Sequence, residues 1–174
     1  MIRVYLSLGS NQGDRLGSLL KASKLVDLQI GKIAKFSPVF ESEPWGFQAD
    51  TSFYNMVIEV ETKLTSKKLL SAILEIEKSL GRKRLGKEYS SRTIDIDILF
   101  FGDRIVADEN LKIPHPRMHL RKFVLEPMAD IAPDLVHPFL HKSVAELLAE
   151  SVDKNAVEIA VTKNDFARLI KEIN

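Results

Sequence analysis

The 174 residues carry 25 lysines and arginines against 24 aspartates and glutamates, a formal charge of +1, and 45% of them are hydrophobic. Charge this evenly balanced argues against a global field for nucleic acid or an anionic membrane, while the apolar fraction suffices for one substantial core. With no cysteine, disulfides, thiol catalysis and thiolate metal centres are excluded, and a reducing compartment fits.

The chain opens Met1-Ile2-Arg3-Val4-Tyr5-Leu6, a strand pattern rather than a leader, and no apolar run approaches a membrane span, so a cytoplasmic protein is expected. Ile2, Val4, Leu6 and Leu8 alternate with Arg3, Tyr5 and Ser7 up to Gly9, which predicts the first strand. A turn at Ser10 to Gly13 leads to Asp14, a helix N-cap, and a helix that stops before Gly31. Lys32 to Phe40 reads as a second strand, with Pro38 arguing for an edge position. Phe53 to Lys63 alternates with Tyr54, Met56, Ile58 and Val60 on one face, and Thr65 or Ser66 caps a second helix that Gly81 closes.

The segment Arg92-Thr93-Ile94-Asp95-Ile96-Asp97-Ile98-Leu99-Phe100-Phe101 is the most informative in the chain. Strict alternation places Asp95 and Asp97 on one strand face, about 6.5–7 Å apart along the chain, with Ile94, Ile96, Ile98 and Phe100 expected to face the core. Two carboxylates so placed repel each other, and a hard divalent cation relieves that repulsion. A solvated edge strand would show the same alternation. The cations between Arg82 and Arg92, immediately upstream, point to polyphosphate with magnesium. Beyond this strand the sequence predicts a short strand at Leu111 to His115, helical turns near His119 to Met128 and a helix from Ser143 to Glu150. A strand and helix then span Glu158 to Ile173.

Strand, helix, strand, strand, helix, strand is the split βαβ order. The expected fold is therefore α+β: a ferredoxin-like βαββαβ core, an antiparallel sheet with helices packed on one face, plus additional C-terminal elements. The chemistry belongs on the open face. The long connections Glu41 to Ser52 and Arg82 to Ser91 read as lids. His115/His119 and His137/His141 have the spacing of a helical zinc pair, but a proline follows the first histidine of each, which argues against zinc. Gly9 to Gly13 lacks the Gly-Lys-Ser/Thr of a phosphate loop and reads as a tight turn.

Four segments together resemble the 6-hydroxymethyl-7,8-dihydropterin pyrophosphokinase family. They are Leu8-Gly9-Ser10-Asn11 with Gly13-Asp14; Ser42-Glu43-Pro44-Trp45-Gly46 with Phe53-Tyr54-Asn55; Gly81-Arg82 through Arg92 to Asp97; and Ile113-Pro114-His115-Pro116-Arg117-Met118 with Arg121 and Phe123. The resemblance covers roughly residues 1–149, implying one domain over 1–174 with a pyrophosphokinase core at 1–149 and an extension at 150–174. It implies transfer of diphosphate from ATP to the hydroxymethyl group of 6-hydroxymethyl-7,8-dihydropterin, giving AMP, in folate biosynthesis. Asp95 and Asp97 then look like ligands of two Mg²⁺ ions on the triphosphate. Arg82, Arg92, His115 and Arg121 resemble the cations around the phosphates, and Arg84 belongs to the mobile loop.

For the pterin, the resemblance implies that Phe53 and Phe123 sandwich the ring. Asn55 reads its edges together with the backbone near Ser42, Pro44 and Trp45. Tyr89 stands where some members carry tryptophan and can cover the ring. Glu77 is placed near the ribose, with Ile98, Leu111 and Lys112 lining the base pocket. Asn110 stands where some members have arginine and is left out of the site. The expected partners are these two small molecules, with no nucleic acid, no membrane and a monomeric chain. A ferredoxin-like nucleic-acid module or a non-catalytic ligand-binding domain would share the fold without requiring the paired aspartates.

Overall fold

In the computed structural model, which describes residues 1–46, 50–82 and 92–173, each alternating segment pairs into one antiparallel sheet. β1 (Ile2–Ser10) lies inside it, flanked by β4 (Phe53–Thr62) and by β5 (Asp95–Phe101) at the edge. The order continues through β3 (Val39–Ser42) to β8 (Val157–Val161), while β2 (Gly31–Phe36) also pairs with β4. β6 (Val106–Asp108) and β7 (Leu111–Ile113) form a separate two-stranded ribbon.

The first crossover helix, α1 (Arg15–Gln29), begins where Asp14 Oδ1 accepts from Gly17 N at 2.9 Å. Thr65 caps the second, α2 (Ser66–Ser79), by the same device. Both bury apolar stripes on one sheet face: Leu19, Val26, Leu69 and Ile73 pack on Val4, Leu6, Met56, Ile58, Ile94 and Ile96. α5 (Lys163–Glu172) joins them there through the fully buried Phe166.

The structure corrects three sequence expectations. Helices cover both faces rather than one, because α3 (Lys122–Ile131) and α4 (Val144–Ala149) pack on Tyr5, Val57, Leu99 and Phe100 across half of the second face. The alternation of β5 breaks at Leu99: Leu6 pairs with Ile98 but Tyr5 with Phe100, so an extra residue turns Phe100 to the second face and Phe101 takes its place in the first core. The predicted strand Lys32 to Phe40 is two strands interrupted at Ser37-Pro38. Pro38 lies at the break, and β3 beyond it is covered on its outer edge by β8. Of the two lids, residues 47–49 and 83–91 lie outside the described residues, and Arg84 and Tyr89 fall among them.

Candidate active site

The half of the second face that α3 and α4 leave uncovered is where the polar side chains of three strands meet. Register sets them in rows: Asn55 of β4, Gly9 of β1 and Asp95 of β5 are successive partners across the sheet, and Ser7 pairs with Asp97 one step along. Gly9 is needed at the middle of that row. A Cβ there would stand 3.0 Å from Asn55 Oδ1 and 3.8 Å from Phe53 Cδ1, filling the floor between amide and carboxylate.

A narrow slot opens on one side of this floor. Phe53, Asn55, Ser42, Trp45 and Phe123 line it, and Glu43, Ser7 and Gly9 join them; Pro44 is not among the lining residues. Asn55 is buried and its Nδ2 donates to Ser42 Oγ at 2.9 Å, which fixes the amide and leaves its carbonyl oxygen facing Gly9. Arg121 is 6% exposed, its guanidinium 5.0 Å from the Trp45 ring centroid and 5.7 Å from that of Phe123. Stacking of this kind holds a flat cation against aromatic faces.

On the other side lies a wider cleft of about 410 Å³. Glu77, Arg82, Ile98, Leu111, Lys112 and His115 line it. Leu70, Ile73 and Leu74 of α2 add an apolar wall, and Asn110 lines it too, although the sequence reading omitted that residue. Arg92, Asp95, Asp97 and Arg121 line both slot and cleft, so the carboxylates sit at the junction.

Charge at the junction is closely arranged. Arg82 pairs with Asp95 and with Glu77, and Arg92 pairs with the other oxygen of Asp95. Glu77, 2% exposed, also accepts from Ile96 N at 2.8 Å, so its carboxylate ties α2 to β5. Asp97 has more distant partners: Arg121 Nη1 at 3.8 Å and His115 Nε2 at 3.9 Å. Its side chain is 39% exposed at the bottom of a concave wall. Desolvation there, followed by repulsion from Asp95, raises its carboxyl to about 7 against the pull of Arg121. His115 moves the other way, to about 4, through burial and then the nearby Arg121 and Arg117. It is therefore a neutral imidazole; Nδ1 accepts from Arg117 N at 3.2 Å, which leaves the proton on Nε2, toward Asp97.

Asn11 joins the parts. This 1% exposed residue accepts from Arg92 N through Oδ1 at 2.8 Å and donates its own amide to Arg92 O at 3.2 Å. Its backbone carbonyl accepts from Thr51 Oγ1 at 2.5 Å, so Thr51 and Arg92 meet at one residue. The sequence predicts only a turn here, and the signal for this role is an amide directly after a strand end. His137, four residues before His141, is buried, its ring 5.8 Å from Phe100 and 6.2 Å from Phe139.

Two carboxylates on one strand face, one of them held toward its protonated form, suit a small hard cation that completes its shell with phosphate oxygens and water. Among the described residues no group of three or more histidines, cysteines, aspartates or glutamates could form an all-protein cage. The junction can thus bind a metal-bound polyanion in the wide cleft beside a flat polar ring in the slot.

Comparison with known proteins gives the same direction. The model of the 7,8-dihydro-6-hydroxymethylpterin-pyrophosphokinase (HPPK) family matches residues 5–133. A 2-amino-4-hydroxy-6-hydroxymethyldihydropteridine pyrophosphokinase of Aquifex aeolicus is 40% identical over 154 residues, 88% of this chain and 95% of that one. The protein of that name in Haemophilus influenzae is 36% identical over 160 residues, 91% of this chain and 99% of its own. The folic acid synthesis protein fol1 of Pneumocystis carinii is 43% identical over 150 residues, which make up 86% of this chain but 20% of that protein. A solved structure of wild-type Plasmodium falciparum HPPK-DHPS with pteroate superimposes with a TM-score of 0.72 at 17% identity, covering 86% of this chain and 44% of the other. That last likeness is one of fold.

Proposed function

Since the chain belongs to the 7,8-dihydro-6-hydroxymethylpterin-pyrophosphokinase family, a transferase family of folate synthesis, we propose that the slot holds the pterin, the wide cleft holds ATP, and Asp95 and Asp97 hold two Mg²⁺ ions between them. The reaction is transfer of the pyrophosphoryl group of ATP to hydroxymethyldihydropterin. The hydroxymethyl oxygen bonds to the β-phosphorus, the bond from that phosphorus to the α,β-bridging oxygen breaks, the hydroxyl proton is released and AMP leaves. Magnesium, when bound, neutralises the triphosphate and orients it.

The residues of the chain supply the rest. Phe53 and Phe123 offer faces for the ring, and Asn55, locked by Ser42, presents a fixed hydrogen-bonding edge. Arg82, Arg92 and Arg121 converge on the carboxylates, so a triphosphate entering the cleft meets cations gathered at the junction, with Arg82 and Arg92 exchanging Asp95 for phosphate oxygens. Neutral His115 directs an N–H at the same point. Glu77, Ile98, Leu111 and Lys112 receive the nucleoside end, and Arg84 and Tyr89 are assigned to the same site by the family resemblance.

One observation carries this reading: Arg92, Asp95, Asp97 and Arg121 belong to the walls of both cavities, so groups bound in the two meet at the carboxylates. We take a monomer as the working unit. No helix among the described residues is long and apolar enough to cross a membrane, and we place the reaction in the cytoplasm. Incubation with ATP, Mg²⁺ and 6-hydroxymethyl-7,8-dihydropterin, with chromatographic separation of the nucleotides, tests the proposal. AMP equimolar with the pterin diphosphate is expected, whereas ADP as the sole nucleotide product would contradict it.

A further inference from the structure

Residues after α4 do something the core does not do for itself. α3 begins at Lys122, directly between the slot residues Arg121 and Phe123, and the residue at its N-cap, Arg121, makes no side-chain cap. The amide of Lys122 is met from elsewhere: Asp153 Oδ2 accepts from it at 3.0 Å across 31 residues of sequence. The other oxygen of Asp153 accepts from Asn155 N at 3.1 Å, and its amide donates to Ser151 Oγ at 3.3 Å, so a tight local turn orients the carboxylate. Four residues further on, Val157 pairs with Ser42, the slot residue that fixes the amide of Asn55. Lys163 then pairs with Asp130 on the same α3.

The segment from Asp153 to Val157 thus runs from the root of one slot wall, Arg121 and Phe123, to the root of the other, Ser42. We infer that this C-terminal segment sets the spacing of the slot, with Asp153 as a positioning residue that fixes the start of α3 and therefore the Arg121 and Phe123 side chains. A charge-assisted bond to an otherwise unmet amide at a helix start is worth more than a surface contact, and the helix dipole favours a carboxylate there. Losing it lets the first turn of α3 fray, and both flanking side chains drift with it.

This inference rests on assigning the slot to the pterin. The test is calorimetry of pterin binding to the full chain in the presence of Mg²⁺ and a non-hydrolysable ATP analogue. Asp153→Ala is expected to weaken pterin binding about tenfold, and Asp153→Asn, which keeps an acceptor, to recover most of that loss. Lys163→Ala cuts the tail's other tie to α3 away from the slot and is expected to lower the melting temperature while leaving pterin affinity unchanged. In the wild-type chain, hydrogen exchange at the Lys122 amide is expected to slow when the pterin binds. Equal pterin affinity in wild type and Asp153→Ala, a loss in Lys163→Ala as large as in Asp153→Ala, or a Lys122 exchange rate indifferent to the pterin would each overturn the inference. A wild-type chain that binds the ATP analogue but no pterin would instead overturn the assignment of the slot beneath it.

Discussion

At the scale of single residues, Asp97 differs from its neighbour in a way that defines its work. Asp95 is gripped by Arg82 and Arg92, whereas Asp97 meets Arg121 and His115 at 3.8 and 3.9 Å. Its carboxyl is raised to about 7 by desolvation and by Asp95, which marks a group short of positive charge. Asp97→Ala is accordingly expected to lower kcat by about 10²-fold or more while pterin affinity changes little, since the residue acts on the triphosphate rather than on the ring. Steady-state kinetics at saturating Mg²⁺ together with pterin calorimetry check this, and near-normal turnover would count against it. Asp95, Asp97, Phe53 and Asn55 were legible in the sequence because alternation fixes which way a strand side chain points. Ser7 and Gly9 were not, because their importance lies in the partners that register gives them, Asp97 and Asn55, and register is a property of two strands together.

Among the elements, the departures from expectation occur where the chain breaks its period. A continuous β-rich run from Lys32 to Phe40 conceals an interruption at Ser37-Pro38, since proline breaks the regular ladder and the chain must bridge the gap. Ser37 does so: its amide donates to Val57 O at 2.9 Å, and its Oγ accepts from Val57 N at 3.0 Å, carrying the ladder across the gap. Ser37 is fully buried. Ser37→Ala is therefore expected to leave the Val57 amide unmet and to cost about 1–3 kcal/mol, seen as a lower urea midpoint with an unchanged slope. A midpoint equal to wild type would show that the backbone closes the gap unaided. The bulge at Leu99 is a similar case: alternation up to Ile98 was readable, but the extra residue that turns Phe100 toward α3 leaves no mark in the pattern.

For the molecule as a whole, the ferredoxin-like order of strands was legible because two capped helices separate the alternating segments. Coverage of the second face by α3 and α4 was not, since the spacing that marks a helix does not say which face of a sheet it packs on. That coverage confines the open floor to one end of the sheet and places both cavities there. Because Arg121 lines both, nucleotide bound in one should order a wall of the other. Pterin affinity measured by calorimetry is expected to rise at least several-fold when Mg²⁺ and a non-hydrolysable ATP analogue are present; equal affinity with and without the analogue would defeat this coupling.

The central claim is that Asp95 and Asp97 hold cations on a triphosphate beside a bound pterin. Its most direct test is a crystal structure of the chain with Mn²⁺ in place of Mg²⁺, a non-hydrolysable ATP analogue and 6-hydroxymethyl-7,8-dihydropterin, recorded at the manganese absorption edge. The account predicts anomalous peaks in contact with both carboxylates and the phosphate oxygens, with the pterin between Phe53 and Phe123. Phosphates bound away from the two aspartates, with no anomalous density at either, would contradict it.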